Sequence, residues 1–232
     1  MLENILDFDA FLFDLDGTLI DTEPLHMAAW KQTVQNYGFT LNWSLKQYLS
    51  NALVSRPHLF EAIYQACPGL KELFPNGELL RQEKIRMYEN LLLKTPPNWT
   101  LGALEFLSWL KAHNKEMVIV TNSPRKHVDT YKHLPFDNFF KKILTIDDFV
   151  HPKPDPAGYL SALTFLQKKG QDCLVFEDSL KGILSAKNAG VKSLLIATED
   201  YKKSASIPQT EPFSPSFQDI LSKISKKTGS SA

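Results

Sequence analysis

Cysteine is nearly absent: Cys67 and Cys173 are the only two in 232 residues, far apart and in dissimilar surroundings. That excludes a disulfide framework and a cysteine-built zinc site, and leaves two buried or idle thiols. Charge of one sign is missing as well. Lys and Arg total 26 against 26 Asp and Glu, so net charge supplies no attraction to nucleic acid or to an anionic membrane. No apolar run approaches the roughly 18 residues of a membrane helix. Met1 to Asp7 carries no basic stretch ahead of an apolar one, so a cytoplasmic location is expected. Internal repeats and low-complexity tracts do not occur either, which sets solenoid architectures aside.

What is present suits an ordinary globular protein: 43% hydrophobic and 22% charged residues, in a chain long enough for one large domain or a domain with a smaller insert. Four short apolar runs read as buried strands: Ala10 to Leu15, Glu116 to Val120, Cys173 to Phe176 and Ser193 to Ala197. Segments of helical period lie between them, at Leu101 to His113, Pro156 to Lys168 and Leu180 to Asn188, the last followed by the capping candidate Gly190. This alternation implies an α/β fold with a parallel sheet. In such sheets ligands bind beyond the carboxyl ends of the strands. The polar groups Asp16 to Thr18, Thr121 to Ser123 and Glu177 with Asp178 all fall at those ends.

From Pro24 to about Leu93 the alternation stops, and apolar residues recur at helical spacing (Leu25, Ala28, Ala29; Leu59, Ile63; Leu79, Leu80). The stretch reads as an inserted helical domain with hinges at Thr22 to Pro24 and Lys94 to Asn98, where proline restricts the residue before it. The expected division is 1–22 with 98–232 for the α/β core and 23–97 for the insert. Past Asp200, Ser216 to Ile224 has the pattern of one short helix, and Lys226 to Ala232 is expected to fray.

Asp14 and Asp16 leave the first strand with one residue between them, and strand periodicity puts both carboxylates on one side. Like charges so placed repel, and a divalent cation or a shared proton resolves the repulsion. Glu177 and Asp178 form a second acidic pair, which is also ordinary chemistry for the start of a helix capped by Ser179. Taken together, the two pairs make an all-oxygen cluster suited to Mg²⁺. Lys153 sits between Pro152 and Pro154, which stiffen the chain and can aim a side chain that is otherwise just a solvated lysine. Thr121, Asn122 and Ser123 can donate to phosphate oxygens or cap a helix.

Asp14 to Leu19, then Val118 to Asn122, then Lys153 to Pro156, then Phe176 to Ser179 with Gly182 resemble, in order, the four motifs of the haloacid dehalogenase-like hydrolase superfamily. The resemblance covers the chain from the first strand to about Ala197. It implies a doubly wound, Rossmann-like core of strand order 5-4-1-2-3 with an α-helical cap inserted. It also implies that Asp14 attacks phosphorus to form an aspartyl-phosphate and that Asp16 serves as general acid and base. Mg²⁺ would be held by the Asp14 carboxylate, the Asp16 backbone carbonyl and Asp178, with Glu177 in support, while Thr121, Asn122 and Lys153 would bind the phosphate. Dehalogenases proper lack the second acid of the first motif; with Asp16 present, phosphoryl transfer is favoured.

In the insert, Asp21 to His26 with Trp30, Val54 to Arg56, and Lys84 four residues before Tyr88 resemble the β-phosphoglucomutase branch. That implies His26, Arg56 and Lys84 as cap residues that touch substrate, although each is also a plausible packed or solvated residue. Leu53, where that branch usually has glycine, and Pro57, where an acid is common, depart from the pattern and weigh against mutase activity. The expected function is a Mg²⁺-dependent phosphatase of a small phosphorylated metabolite such as a sugar phosphate, its cap closing to exclude water. A phosphomutase is the alternative, and a phospho-accepting receiver-like signalling module the alternative of another class. The expected assembly is a monomer or weak homo-oligomer with no nucleic-acid or membrane partner.

Overall fold

A computed structural model describes residues 2–52, 55–204, 207–208 and 210–228. Leu53 and Val54, on which part of the cap motif rests, and the tail from 229 onward lie outside the described residues.

Six strands, β1 (Ala10–Phe13), β2 (Glu116–Val120), β3 (Lys142–Leu144), β4 (Cys173–Glu177), β5 (Lys192–Ile196) and β6 (Phe213–Ser214), form one sheet in the order β3-β2-β1-β4-β5-β6. Every neighbouring pair is parallel. The expected five-strand order is contained in this sheet, and β6 extends it beyond β5. β3 and β6 escape the sequence pattern because they are only 3 and 2 residues long, too short for a period to register.

Both faces of the sheet are covered, as a parallel sheet requires. Ala10 and Leu12 of β1 pack with Val118, Val175 and, from helix Ala157–Leu166, Tyr159 and Ala162. The alternate residues Phe11 and Phe13 face the other way into aromatics. Phe13 stacks on Phe176 at 4.9 Å between ring centroids, and Phe106 of helix Ala103–Ala112 stacks on Phe217 of helix Phe217–Thr228 at 5.2 Å. Full burial of one such ring contributes about 1.5–3 kcal/mol. Helix Phe217–Thr228 runs through Lys226, where fraying was expected: its start is anchored by the fully buried Phe217 and Ile220, and Lys223 pairs with Asp219 at 2.7 Å.

Register decides where the polar strand ends meet. Phe13 lies opposite both Ile119 and Phe176, and the Asp14 N–H donates to the Phe176 carbonyl at 2.9 Å. The residues that follow on each strand therefore emerge side by side at one edge of the sheet.

Contacts divide the chain into two compact units, Met1–Asp21 with Asn98–Lys202 and Ile207–Ala232, and Thr22–Pro97 with Lys203–Ser206. The second unit contains helices Glu23–Gln35, Leu45–Ala52, Arg56–Ala66, Leu70–Leu73 and Gly77–Lys94, with no strand among its described residues. Its own core includes Trp30, Val34, Tyr48, Leu59, Ile63 and Leu80. Leu79, read from the sequence as part of the apolar stripe, is half exposed, while Leu80 next to it is buried. Both cysteines are free and buried. No helix among the described residues is long and apolar enough to cross a membrane.

Candidate active site

Asp14 is the first residue past β1, buried, and its Oδ1 lies 2.5 Å from Nζ of Lys153. The same ammonium donates to the Val120 carbonyl at 2.7 Å and to Oε1 of Glu177 at 2.6 Å. Lys153 is thus fully coordinated in a buried pocket. It is held from behind as well: its backbone N–H donates to Oδ1 of Asn122 at 2.9 Å, and the Asn122 amide donates to its carbonyl at 3.3 Å. Tyr159, fully buried, donates its hydroxyl to the same Oε1 of Glu177 at 2.7 Å, and Ser179 donates to Oε2 at 3.2 Å.

Two carboxylates around one ammonium set the electrostatics. Burial pushes the Asp14 carboxyl up; Lys153 pulls it down and the charge of Glu177 pushes it up again, leaving it at about 7. Burial disfavours the charged form of Lys153, but Asp14 and Glu177 outweigh it and hold the ammonium protonated.

Asp14, Glu177 and Asp178 offer carboxylate oxygens that lie within 4.8 Å of one another. A donor set made only of oxygen suits a hard cation such as Mg²⁺. Both oxygens of Glu177 accept hydrogen bonds, Oε1 from Lys153 and Tyr159 and Oε2 from Ser179, which suits Glu177 to fixing Lys153. Glycine is required twice beside this cluster. A Cβ on Gly17, whose φ is +88°, would stand 2.2 Å from Oδ2 of Asp178, and one on Gly182 would stand 1.8 Å from the carboxyl carbon of Glu177.

Asp16 stands between the end of β1 at Phe13 and the turn at Gly17. Its carboxylate is bound by three side chains: Ser123 donates to Oδ2 at 2.6 Å, Tyr131 donates to Oδ1 at 2.5 Å, and Nε2 of His127 lies 3.1 Å from Oδ1. Burial pushes this carboxyl up, but the bonds from His127, Ser123 and Tyr131 outweigh it and hold it below the usual carboxylate range. Asp16 still raises Asp14 slightly by its charge.

Thr121 is buried and its hydroxyl accepts the Ser123 N–H at 3.0 Å. The structure therefore brings Asp14, Lys153, Glu177 and Asp178 into direct convergence, with Asn122 spent on the Lys153 backbone. Tyr159, His127 and Tyr131 were missed. Tyr159 looks like any apolar helix residue. His127 and Tyr131 carry one usable signal, their four-residue spacing just after a polar strand end.

The helical unit has a cavity of its own, about 440 Å³, lined by His26, Arg56 and Lys84 together with Arg81, Trp30 and Tyr48. Lys84 is buried, with Nζ 2.6 Å from Nδ1 of His26, whose ring stacks on Tyr88 at 4.2 Å. Burial lowers the Lys84 ammonium to about 8 against an opposing pull from Glu23. Arg56 opens helix Arg56–Ala66 behind the capping Ser55 and is mostly exposed, 3.8 Å from Glu78.

Residues 8–190 match the model of the haloacid dehalogenase-like hydrolase family. The chain belongs to that family. It is 29% identical over 190 residues to the phosphorylated carbohydrates phosphatase of Thermotoga maritima, covering 80% of this chain and 83% of that one. Against the β-phosphoglucomutase of Bacillus subtilis it is also 29% identical, over 185 residues, 78% of this chain and 80% of that one. Among solved structures, a family IA, variant 3 hydrolase of this family from Entamoeba histolytica superimposes with a TM-score of 0.67 at 28% identity, over 90% of this chain and 94% of that one. Membership in a hydrolase family sets the receiver-like reading aside.

Proposed function

We propose that the protein is a Mg²⁺-dependent phosphatase of a small phosphorylated metabolite, with a sugar phosphate as the favoured class and Asp14 as nucleophile. The observation that carries this reading is the buried Asp14 carboxylate 2.5 Å from an ammonium that Glu177 and Val120 hold in place, on a lysine whose backbone Asn122 fixes. A carboxylate kept beside a fixed cation, at the edge where a parallel sheet binds ligands, is placed to meet a phosphate dianion.

In the first step an Asp14 oxygen attacks phosphorus and the bond to the ester oxygen breaks. Asp16, ionised in the free protein, takes up a proton when the negatively charged substrate enters beside it and passes that proton to the leaving alkoxide. In the second, water attacks the aspartyl-phosphate, Asp16 takes its proton, and the Asp14 carboxylate is regained. Lys153 balances charge on the phosphoryl oxygens throughout, and Thr121, buried just past the end of β2, would share in holding them. Asp14, Asp178 and the Asp16 backbone carbonyl would hold Mg²⁺, which when bound neutralises phosphate charge.

The sugar-phosphate class draws support from the names of the two relatives above and from the helical unit's cavity, where arginines stand beside aromatic rings. A phosphomutase is the second reading, favoured by the contact between His26 and Lys84. A panel of phosphate esters, run with and without Mg²⁺, tests the choice. Release of inorganic phosphate that needs Mg²⁺ but no bisphosphate activator is expected. Isomerisation of a sugar phosphate without phosphate release would make the protein a mutase, and hydrolysis indifferent to Mg²⁺ would remove the metal.

A further inference from the structure

The Asp16 carboxylate is unusually well held for a group expected to exchange protons with substrate and water. Oδ2 accepts from Ser123 at 2.6 Å, and Oδ1 accepts from Tyr131 at 2.5 Å with His127 Nε2 at 3.1 Å. His127 and Tyr131 are also bonded to each other, Nε2 to hydroxyl at 2.8 Å. A phenol has one proton to give. If Tyr131 gives it to Asp16, His127 must carry its proton on Nε2 and share it between the Tyr131 oxygen and Asp16.

The holder is itself braced. Tyr131 is fully buried, with its hydroxyl aimed at Asp16. The short helix Arg125–Val128 that carries His127 is tied down through Arg125, whose guanidinium donates to the Ile143 carbonyl and to Asp148, each at 2.8 Å. The Arg125 N–H adds a bond to Asp147 at 2.8 Å, and Thr130 closes the turn on the His127 carbonyl at 2.6 Å. A carboxylate gripped on both oxygens by braced donors cannot rotate without breaking several bonds, and fixed orientation is what an acid–base group contributes to rate.

We infer that His127 and Tyr131, with Ser123, are positioning residues that fix the Asp16 carboxylate in the orientation its proton transfers require. This rests on the reading of Asp16 as the acid and base. Neither His127 nor Tyr131 needs to touch substrate; both act through Asp16, and their effect must vanish when Asp16 is gone.

The test is a double-mutant cycle on the full chain with p-nitrophenyl phosphate and Mg²⁺. Tyr131→Phe and His127→Ala are each expected to lower kcat about tenfold or more, with KM changed less than twofold and the thermal midpoint of Tyr131→Phe close to that of the parent. His127→Gln, whose amide can reach the Nε2 position, is expected to recover most of the loss. In an Asp16→Asn background the same two changes are expected to cost nothing further. Overturning results are normal kcat in both single variants, or losses that multiply undiminished on top of Asp16→Asn, which would mark a general structural role. Near-normal turnover in Asp16→Asn alone would instead bring down the acid–base reading and the inference with it, so the two failures are told apart.

Discussion

The ammonium of Lys153 lies between Asp14 and Glu177, 2.5 Å from one carboxylate and 2.6 Å from the other. One cation therefore serves two buried anions, and the surplus negative charge is what a divalent cation or a phosphate-bound metal would answer. Buried ion pairs return little stability, because desolvation offsets their attraction. An arrangement with an extra carboxylate is costlier still, and the reading that explains it is chemical use of Asp14.

Asp14→Asn is accordingly expected to abolish turnover of any phosphate ester, a loss of at least a thousandfold, on the order expected when a covalent nucleophile is removed. The same change deletes the surplus charge, so the thermal midpoint without Mg²⁺ should stay level or rise. Turnover within tenfold of the parent would falsify the nucleophile assignment.

Mg²⁺ and a proton compete for Asp14. With this carboxyl at about 7 in the metal-free protein, the Mg²⁺ concentration giving half-maximal activity should rise about tenfold per unit as pH falls below that value. Stability has the same origin and a definite sign. A carboxyl raised above its ordinary 3.8 is protonated in the folded state while the unfolded chain has ionised, so the metal-free protein should lose stability between about pH 4 and pH 7, where only the unfolded chain releases the proton. Midpoints measured in chelator across that window check the direction, and Asp14→Asn should flatten the slope.

Gly182 has no room for a methyl group, since its Cβ would overlap the Glu177 carboxyl at 1.8–2.0 Å. Gly182→Ala must push Glu177 away from Lys153 and Tyr159. The expected cost is about 1–3 kcal/mol of stability from overpacking, seen as a lower thermal midpoint. A drop in kcat is expected with it, because Lys153 loses one of the groups that aim it. Unchanged kcat would mean that Glu177 does not set the position of Lys153.

The alternation of apolar runs and helical segments made the α/β core legible, because strands buried on both faces must be continuously apolar and connections between parallel strands must cross over through helices. Asp14, Lys153, Glu177 and Asp178 were legible because each stands at a strand end or between prolines and together they resemble an ordered set of motifs, although Lys153 is held in place by the distant Asn122, Val120 and Glu177. The acidic character of Asp16 was legible, but the side chains that grip it were not. His127 and Tyr131 were illegible because their partner lies more than 100 positions away, and only the order of β1 beside β2 brings them to it. The same holds for Tyr159, whose polar end is directed to Glu177 by tertiary packing alone.

Arg56 and Arg81 both line the helical unit's cavity, and both lean on Glu78, at 3.8 Å and 2.8 Å. Arg56 is the looser of the two and the better placed to exchange its partner for a ligand anion, so Arg56→Ala should raise KM for sugar phosphates and bisphosphates while leaving p-nitrophenyl phosphate nearly untouched. Because its pair with Glu78 is exposed, little stability is at stake. Equal KM values for all esters in parent and variant would retire Arg56 as a substrate residue.

Lys84 allows a test that needs no substrate. Burial has lowered its ammonium from 10.5 to about 8, while Glu23 pulls the other way and Arg81 adds to the lowering. Between those two values the unfolded chain binds the proton that the folded protein has released, so folding becomes more favourable as pH rises through this window. Below about pH 8 both forms are protonated and the slope disappears. The full effect is about 3 kcal/mol, from about 1.4 kcal/mol per unit of difference. Lys84→Met keeps the packing against Trp30 and Tyr88 and removes the charge, so denaturant unfolding at pH 8 and pH 10 should show a gain for the parent that the variant lacks. At pH 7 the variant should be the more stable of the two, since it no longer buries an ammonium. A parent and variant with the same pH slope would mean that Lys84 is solvated in the folded protein, and its contact with His26 at 2.6 Å would then lose its electrostatic meaning.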